Sequence, residues 1–126
     1  MKINDPAILA EVEAAFMAYE KALNENDVAV LDASFKDAPE TIRYGMGENL
    51  YGFHEIAAFR SARSPVGLLR TIERTVITTY GDAMATASTL FRRESMAGKV
   101  GRQSQTWVKF PEGWRVVAAH VSAIAE

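Results

Sequence analysis

One arginine inside a short apolar strand is the first residue in this chain that points to chemistry. Arg43 stands within Thr41–Gly45, among β-branched and aromatic neighbours. Gly45, Gly47 and Gly52 punctuate the turn and tight reversal that follow it. Two readings are open at this position. An edge-strand arginine can lay its stem over apolar surface and keep its head in water. A guanidinium held inside can anchor a planar carboxylate through two parallel hydrogen bonds. Tyr19 poses the same choice. It is a core tyrosine with its hydroxyl at the rim, or its hydroxyl is aimed at a ligand to donate a hydrogen bond or a proton.

Further candidates come from the C-terminal third. By period two, Gln103, Gln105 and Trp107 share one strand face, opposite Arg102, Ser104, Thr106 and Val108. In the next run the same count puts Trp114, Val116, Ala118, His120 and Ser122 together. Neither face of the first run is plainly apolar, so it meets solvent or encloses a polar ligand. His54 and His120 are the only histidines. His120, on a strand, is the better candidate for an acid–base or orienting role; His54 opens a helix. No metal-binding histidine motif, nucleophile elbow or phosphate-binding glycine loop occurs, so metal, nucleotide and flavin are not expected. Asp32, Asp37 and Glu48 are the carboxylates open to a proton-transfer role.

The elements that must position these residues are legible in outline. Asp5 and Pro6 start a helix as cap and first residue. Ile8, Val12, Ala15, Phe16, Tyr19 and Leu23 give that helix one apolar stripe. Asp27 caps a second short helix, Val28 to Ser34, and Phe53 to Arg63 forms a third. From Leu69 the texture changes to four extended runs, Leu69–Tyr80, Ala83–Glu94, Val100–Phe110 and Trp114–Ala123, joined by glycine-bearing hairpins. The layout is α+β, with three helices on one face of a strongly curved antiparallel sheet, a cone with an open end.

The chain has 126 residues, the size of one domain, and a net charge of −2. No basic footprint for nucleic acid is present. The absence of cysteine excludes disulfides and thiol chemistry. No signal peptide or membrane span is expected, and a cytoplasmic protein is.

The run RYGMGENLYG-HEIAAFR-AR, with LLRTIERTVITTYG, GRQSQTWVKFPEGWRVVAAHVS and the opening helix, resembles the AtzH/HpxZ-like group of the nuclear-transport-factor-2-like, or SnoaL-like, superfamily. The resemblance covers nearly the whole chain as a single domain, residues 1–126. It implies the cone fold, a homodimer paired through the sheet, and small-molecule hydrolase chemistry in ureide or cyanuric-acid nitrogen catabolism beside amidases. The implied reaction is decarboxylating amidohydrolysis of urea-1,3-dicarboxylate to allophanate, without a cofactor. The alternative is a non-catalytic ureide-binding or amidase-accessory protein of oxalurate catabolism. The implied catalytic pair is Tyr19 and Arg43. Gln103, Gln105, Trp107 and His120 are expected, from strand alternation, to line the pocket of a small anionic ureide. A carboxylate base would instead indicate proton-transfer chemistry of the ketosteroid-isomerase kind.

Overall fold

Asp5 caps the first helix as expected: its carboxylate accepts from the Ala7 N–H at 3.0 Å, and Pro6 opens the helix. In the computed structural model, which describes residues 1–126, this helix is α1 (Pro6–Glu25). Asn26 ends it in left-handed geometry at φ 51°. Asp27 then caps α2 (Val28–Ala33) through the Val30 N–H at 3.2 Å. Two short strands follow, β1 (Ile42–Tyr44) and β2 (Asn49–Tyr51), then α3 (Phe53–Ala62). Gly52 enters α3 at φ 85°, a conformation open to glycine at little cost. Four long strands complete the chain: β3 (Thr71–Tyr80), β4 (Met84–Arg92), β5 (Lys99–Phe110) and β6 (Gly113–Ala125).

The six strands form one sheet in the order β2-β1-β6-β5-β4-β3. The long strands make an antiparallel meander, but β1 joins β6 in parallel, so the sheet is mixed rather than wholly antiparallel. A parallel pair needs a long crossover, and α3 with the meander supplies it. The sheet does not close: β2 and β3 remain its edges. The helices cover its concave face. Val12, Phe16, Leu31, Ile56, Trp107 and Val116 are fully or almost fully buried between the layers. No helix is long and apolar enough to cross a membrane.

One residue in β6 changes which side chains face inward. Thr106 pairs with Ala118, but Trp107 pairs with Val116, so Val117 is left over as a bulge. Trp114 and Val116 face inward before it, and Ala119 and Val121 after it; Val116, Ala119 and Val121 stand beside the buried Trp107, Gln105 and Gln103 of β5. The expectation that Ala118, His120 and Ser122 share a face with Val116 is therefore incorrect. Period two holds only while each residue on one strand opposes one on the next.

Candidate functional site

The concave wall places its residues in rows across the sheet. Arg43 stands beside Ala119, which stands beside Gln105 and then Ala87. The next row holds Val121, Gln103 and Thr89, and the row beyond holds Gly101 and Phe91. Arg43 thus faces the interior, 9% exposed, and does not reach out from an edge. It is not free, however: its Nη1 donates to Glu48 Oε1 at 2.9 Å. Gly45 makes room for that pair, because a side chain there would overlap the Glu48 carboxylate.

Tyr19 reaches the same interior from α1. It is 4% exposed and its ring tilts against Phe35 at 6.1 Å. Phe35 is in turn covered by the Arg60 guanidinium at 4.7 Å, which Asp32 holds at 2.9 Å. Glu20, one residue on, takes two hydrogen bonds from Arg70, at 2.8 and 2.6 Å. Asp32 and Glu48 are therefore each tied to an arginine, and Asp37 is exposed. None of the three is an unpaired carboxylate inside the cone.

The two glutamines are oriented by groups that can only donate. Gln103 Oε1 accepts from Arg70 Nη2 at 3.0 Å, and Gln105 Oε1 accepts from the Trp107 indole at 3.1 Å. An arginine and an indole have no acceptor, so each amide must present its oxygen to them and turn its NH2 away. Both amide nitrogens are buried without a partner. Gln103 and Gln105 thus face inward as expected, as donors. Trp107 is 1% exposed and serves by fixing Gln105.

Two arginines that strand and helix periodicity did not single out complete the wall. Arg63 follows the last turn of α3, in extended geometry at ψ 137°. Its Nε and Nη2 are buried and unpartnered. Burial first, and then the charges of Arg60 and Arg43, push its guanidinium below the ordinary value. Arg93 lies just past β4, with its Nε buried and unpartnered. Burial, and then Arg70 and Arg63, push it down in the same way. Tyr19 lies within the field of both cations. An open groove of about 830 Å³ reaches this wall, lined by Asn24, Leu68, Arg70, Arg92, Arg93 and Ser95 among others. A smaller, more apolar hollow of about 360 Å³ between α1 and β3 touches none of these arginines.

His120 belongs to the other side of the sheet. It pairs with Ser104, is exposed, and its ring meets Tyr44 edge-on at 6.1 Å. It cannot line the concave wall, because the Val117 bulge has turned it outward. His54 is exposed in the first turn of α3. No group of three or more histidine or acidic side chains could hold a metal ion.

A family model described as AtzH-like matches residues 1–126. No curated protein matches the chain. Among solved structures, a DUF3225-family protein of unknown function from Pectobacterium atrosepticum is 60% identical, with a TM-score of 0.95, covering 98% of this chain and 95% of that one. A cystatin-like fold protein from Burkholderia xenovorans is 47% identical, with a TM-score of 0.95, covering 100% of this chain and 98% of that one. An NTF2-like protein from Pseudomonas putida is 17% identical, with a TM-score of 0.78, over 92% of this chain and 86% of that one; at that identity the likeness shows the fold alone.

Proposed function

The chain belongs to the AtzH-like family of NTF2-like folds, and from that premise we propose that it hydrolyses a carboxylated urea, converting urea-1,3-dicarboxylate to allophanate. The family and the fold fit a small-molecule-binding or enzymatic role. The finer assignment rests on one observation: the interior that Tyr19 and Arg43 face is lined by buried N–H donors without partners, on Arg63, Arg93, Gln103 and Gln105. The nearby carboxylates are already taken by arginines. Such a wall receives a ligand rich in anionic oxygens and offers nothing to a cation.

The chemistry follows from the substrate. The bond between an N-carboxylate carbon and the ureido nitrogen breaks, and carbon dioxide leaves. The electron pair stays on nitrogen, and one proton must meet it. In this reading the Tyr19 hydroxyl gives that proton, and solvent restores it. The cations around it stabilise negative charge as it moves from carboxylate to nitrogen. Arg43, held by Glu48, acts on this field and on the placement of neighbouring groups.

The test is to supply urea-1,3-dicarboxylate, allophanate and oxalurate separately and follow carbon dioxide and ammonia. Carbon dioxide from the first compound alone is the expected result. Binding of a ureide with no carbon dioxide released would replace the hydrolase reading with a binding or amidase-accessory role. A homodimer paired through the convex face belongs to the same proposal. That face carries Ile42, Tyr44, Ala118 and His120 around a hollow of about 470 Å³. Sedimentation at micromolar concentration showing only the monomer mass would overturn it.

A further inference from the structure

Five arginines converge on the concave wall, and carboxylates answer three of them: Glu48 on Arg43, Asp32 on Arg60 and Glu20 on Arg70. Arg63 and Arg93 have none. Their guanidiniums are nonetheless half-buried, with N–H groups turned to no acceptor. Each is held near an aromatic ring, Arg63 at 6.0 Å from Phe59 and Arg93 at 5.0 Å from Phe91. A ring face steadies a guanidinium but cannot take its in-plane N–H bonds. Both groups are pushed below their ordinary value, first by burial and then by neighbouring arginines, Arg60 and Arg43 for Arg63, Arg70 and Arg63 for Arg93, so the fold bears a cost in keeping them. Uncompensated charge at this depth belongs where a ligand brings the opposite sign.

The two stations are separated by the glutamines. Phe59 sits against both Arg43, at 5.6 Å, and Arg63. Phe91 sits against both Arg70, at 4.6 Å, and Arg93. Gln105 stands in the row of Arg43, Gln103 in the next row, and Phe91 in the row beyond. The free amide donors therefore lie along the path from one guanidinium to the other.

We propose that Arg63 and Arg93 form a two-point clamp for a ligand with two carboxylates, one on each guanidinium, while Gln103 and Gln105 donate to a carbonyl oxygen between them. This rests on the concave interior being the substrate site. It transfers the carboxylate anchor from Arg43, which Glu48 already answers, to Arg63. The two unanswered charges equal those of a dicarboxylate. A monocarboxylate of the same length leaves one cation without a counter-charge, so the clamp sets specificity by charge as well as by shape.

Calorimetry with glutarate and 4-carbamoylbutyrate tests this, because the two differ only in one carboxylate made amide. Wild type should bind glutarate at least about tenfold more tightly, the worth of one charge-assisted hydrogen bond pair in a screened site. Arg63→Gln and Arg93→Gln should each abolish that preference. The lysine variants keep the charge and should retain part of it, and they serve if a glutamine variant fails to fold. Equal affinity of wild type for the two probes, or a wild-type ratio in either folded glutamine variant, overturns the clamp. Glutarate has no N–C bond to break, so its binding is independent of turnover. A protein that discriminates the probes yet releases no carbon dioxide from urea-1,3-dicarboxylate loses the hydrolase assignment and keeps the clamp. One that releases it at an undiminished rate and KM in Arg63→Gln loses the clamp and keeps the hydrolase.

Discussion

Glu20→Gln should be among the most destabilising single-atom exchanges available to this protein. Glu20 and Arg70 are buried together, with side chains 6% and 1% exposed. Arg70 gives the carboxylate two bonds, at 2.8 and 2.6 Å, and gives a third to Gln103 at 3.0 Å. Glutamine keeps the shape but offers one oxygen instead of two. Its NH2 then opposes an N–H, and the Arg70 charge is left uncompensated. Breaking one side of a buried pair costs about 3–5 kcal/mol, a large part of the ~5–15 kcal/mol that holds a domain together. At this size that lowers Tm by about 10–20 °C. Guanidinium titration followed by the fluorescence of Trp107 and Trp114, both buried, reads the loss as a lower midpoint with an unchanged slope. Replacing both partners, as Glu20→Met with Arg70→Met, should recover much of it, because neither charge of the pair is left unanswered, the remaining loss being the Gln103 oxygen that no longer meets Arg70. A Glu20→Gln protein within about 1 kcal/mol of wild type would put the pair in the range of exposed ion pairs and refute the argument.

Tyr19→Phe keeps the ring against Phe35 and removes only the hydroxyl; turnover should fall about 100- to 10,000-fold if that hydroxyl donates the proton, with stability little changed, and a wild-type rate removes Tyr19 from the mechanism. His120→Ala should leave turnover within about twofold, because the side chain stands on the convex face away from the arginines; a loss like that of Tyr19→Phe would contradict the bulge at Val117. Lys109 first, and then the Trp114 indole, hold the Glu11 carboxyl below its ordinary value of 4.5. A depressed carboxyl contributes its stability in full above pH 4.5 and loses it as pH falls through the lowered folded value. Stability curves of wild type and Glu11→Gln should therefore converge on acidification, and parallel curves would count against this contact.

Much of the frame could be read from residues alone, for local reasons. Asp5-Pro6 is a helix start in any context, and the glycine-bearing hairpins mark the meander. Gln103, Gln105 and Trp107 share the inward face that period two predicts, because β5 runs unbroken through them. Counting fails at Val117, since a bulge carries no residue type that betrays it, and everything beyond it changes face. The parallel pairing of β1 with β6 was equally hidden: three residues state that they are a strand, but not beside which partner they lie. The role of Arg63 and Arg93 is not legible in the same way: counting along Ala83–Glu94 sets Arg93 in line with Phe91, and Arg63 closes the helical run, but neither count shows which arginine lacks an acid. The pair Arg92-Arg93 held one usable sign. Arg92 pairs with Glu73 and Glu126, while the neighbour that finds no acid is the one turned inward.

The Phe91 ring lies where a side chain on Gly101 would stand, fully buried, with the guanidiniums of Arg70 and Arg93 against it. Aromatic electrons circulate in a magnetic field, and protons held over the ring face resonate upfield. The α protons of Gly101 and the guanidinium protons of Arg93 are therefore both shifted by the one ring, each according to its own position. A ligand that draws Arg93 across the ring changes the shift of the Arg93 protons, and one that tilts the ring changes the shift at Gly101 as well. A glycine that exists to seat an aromatic ring thereby equips the molecule with an intrinsic NMR reporter of what its arginines are holding.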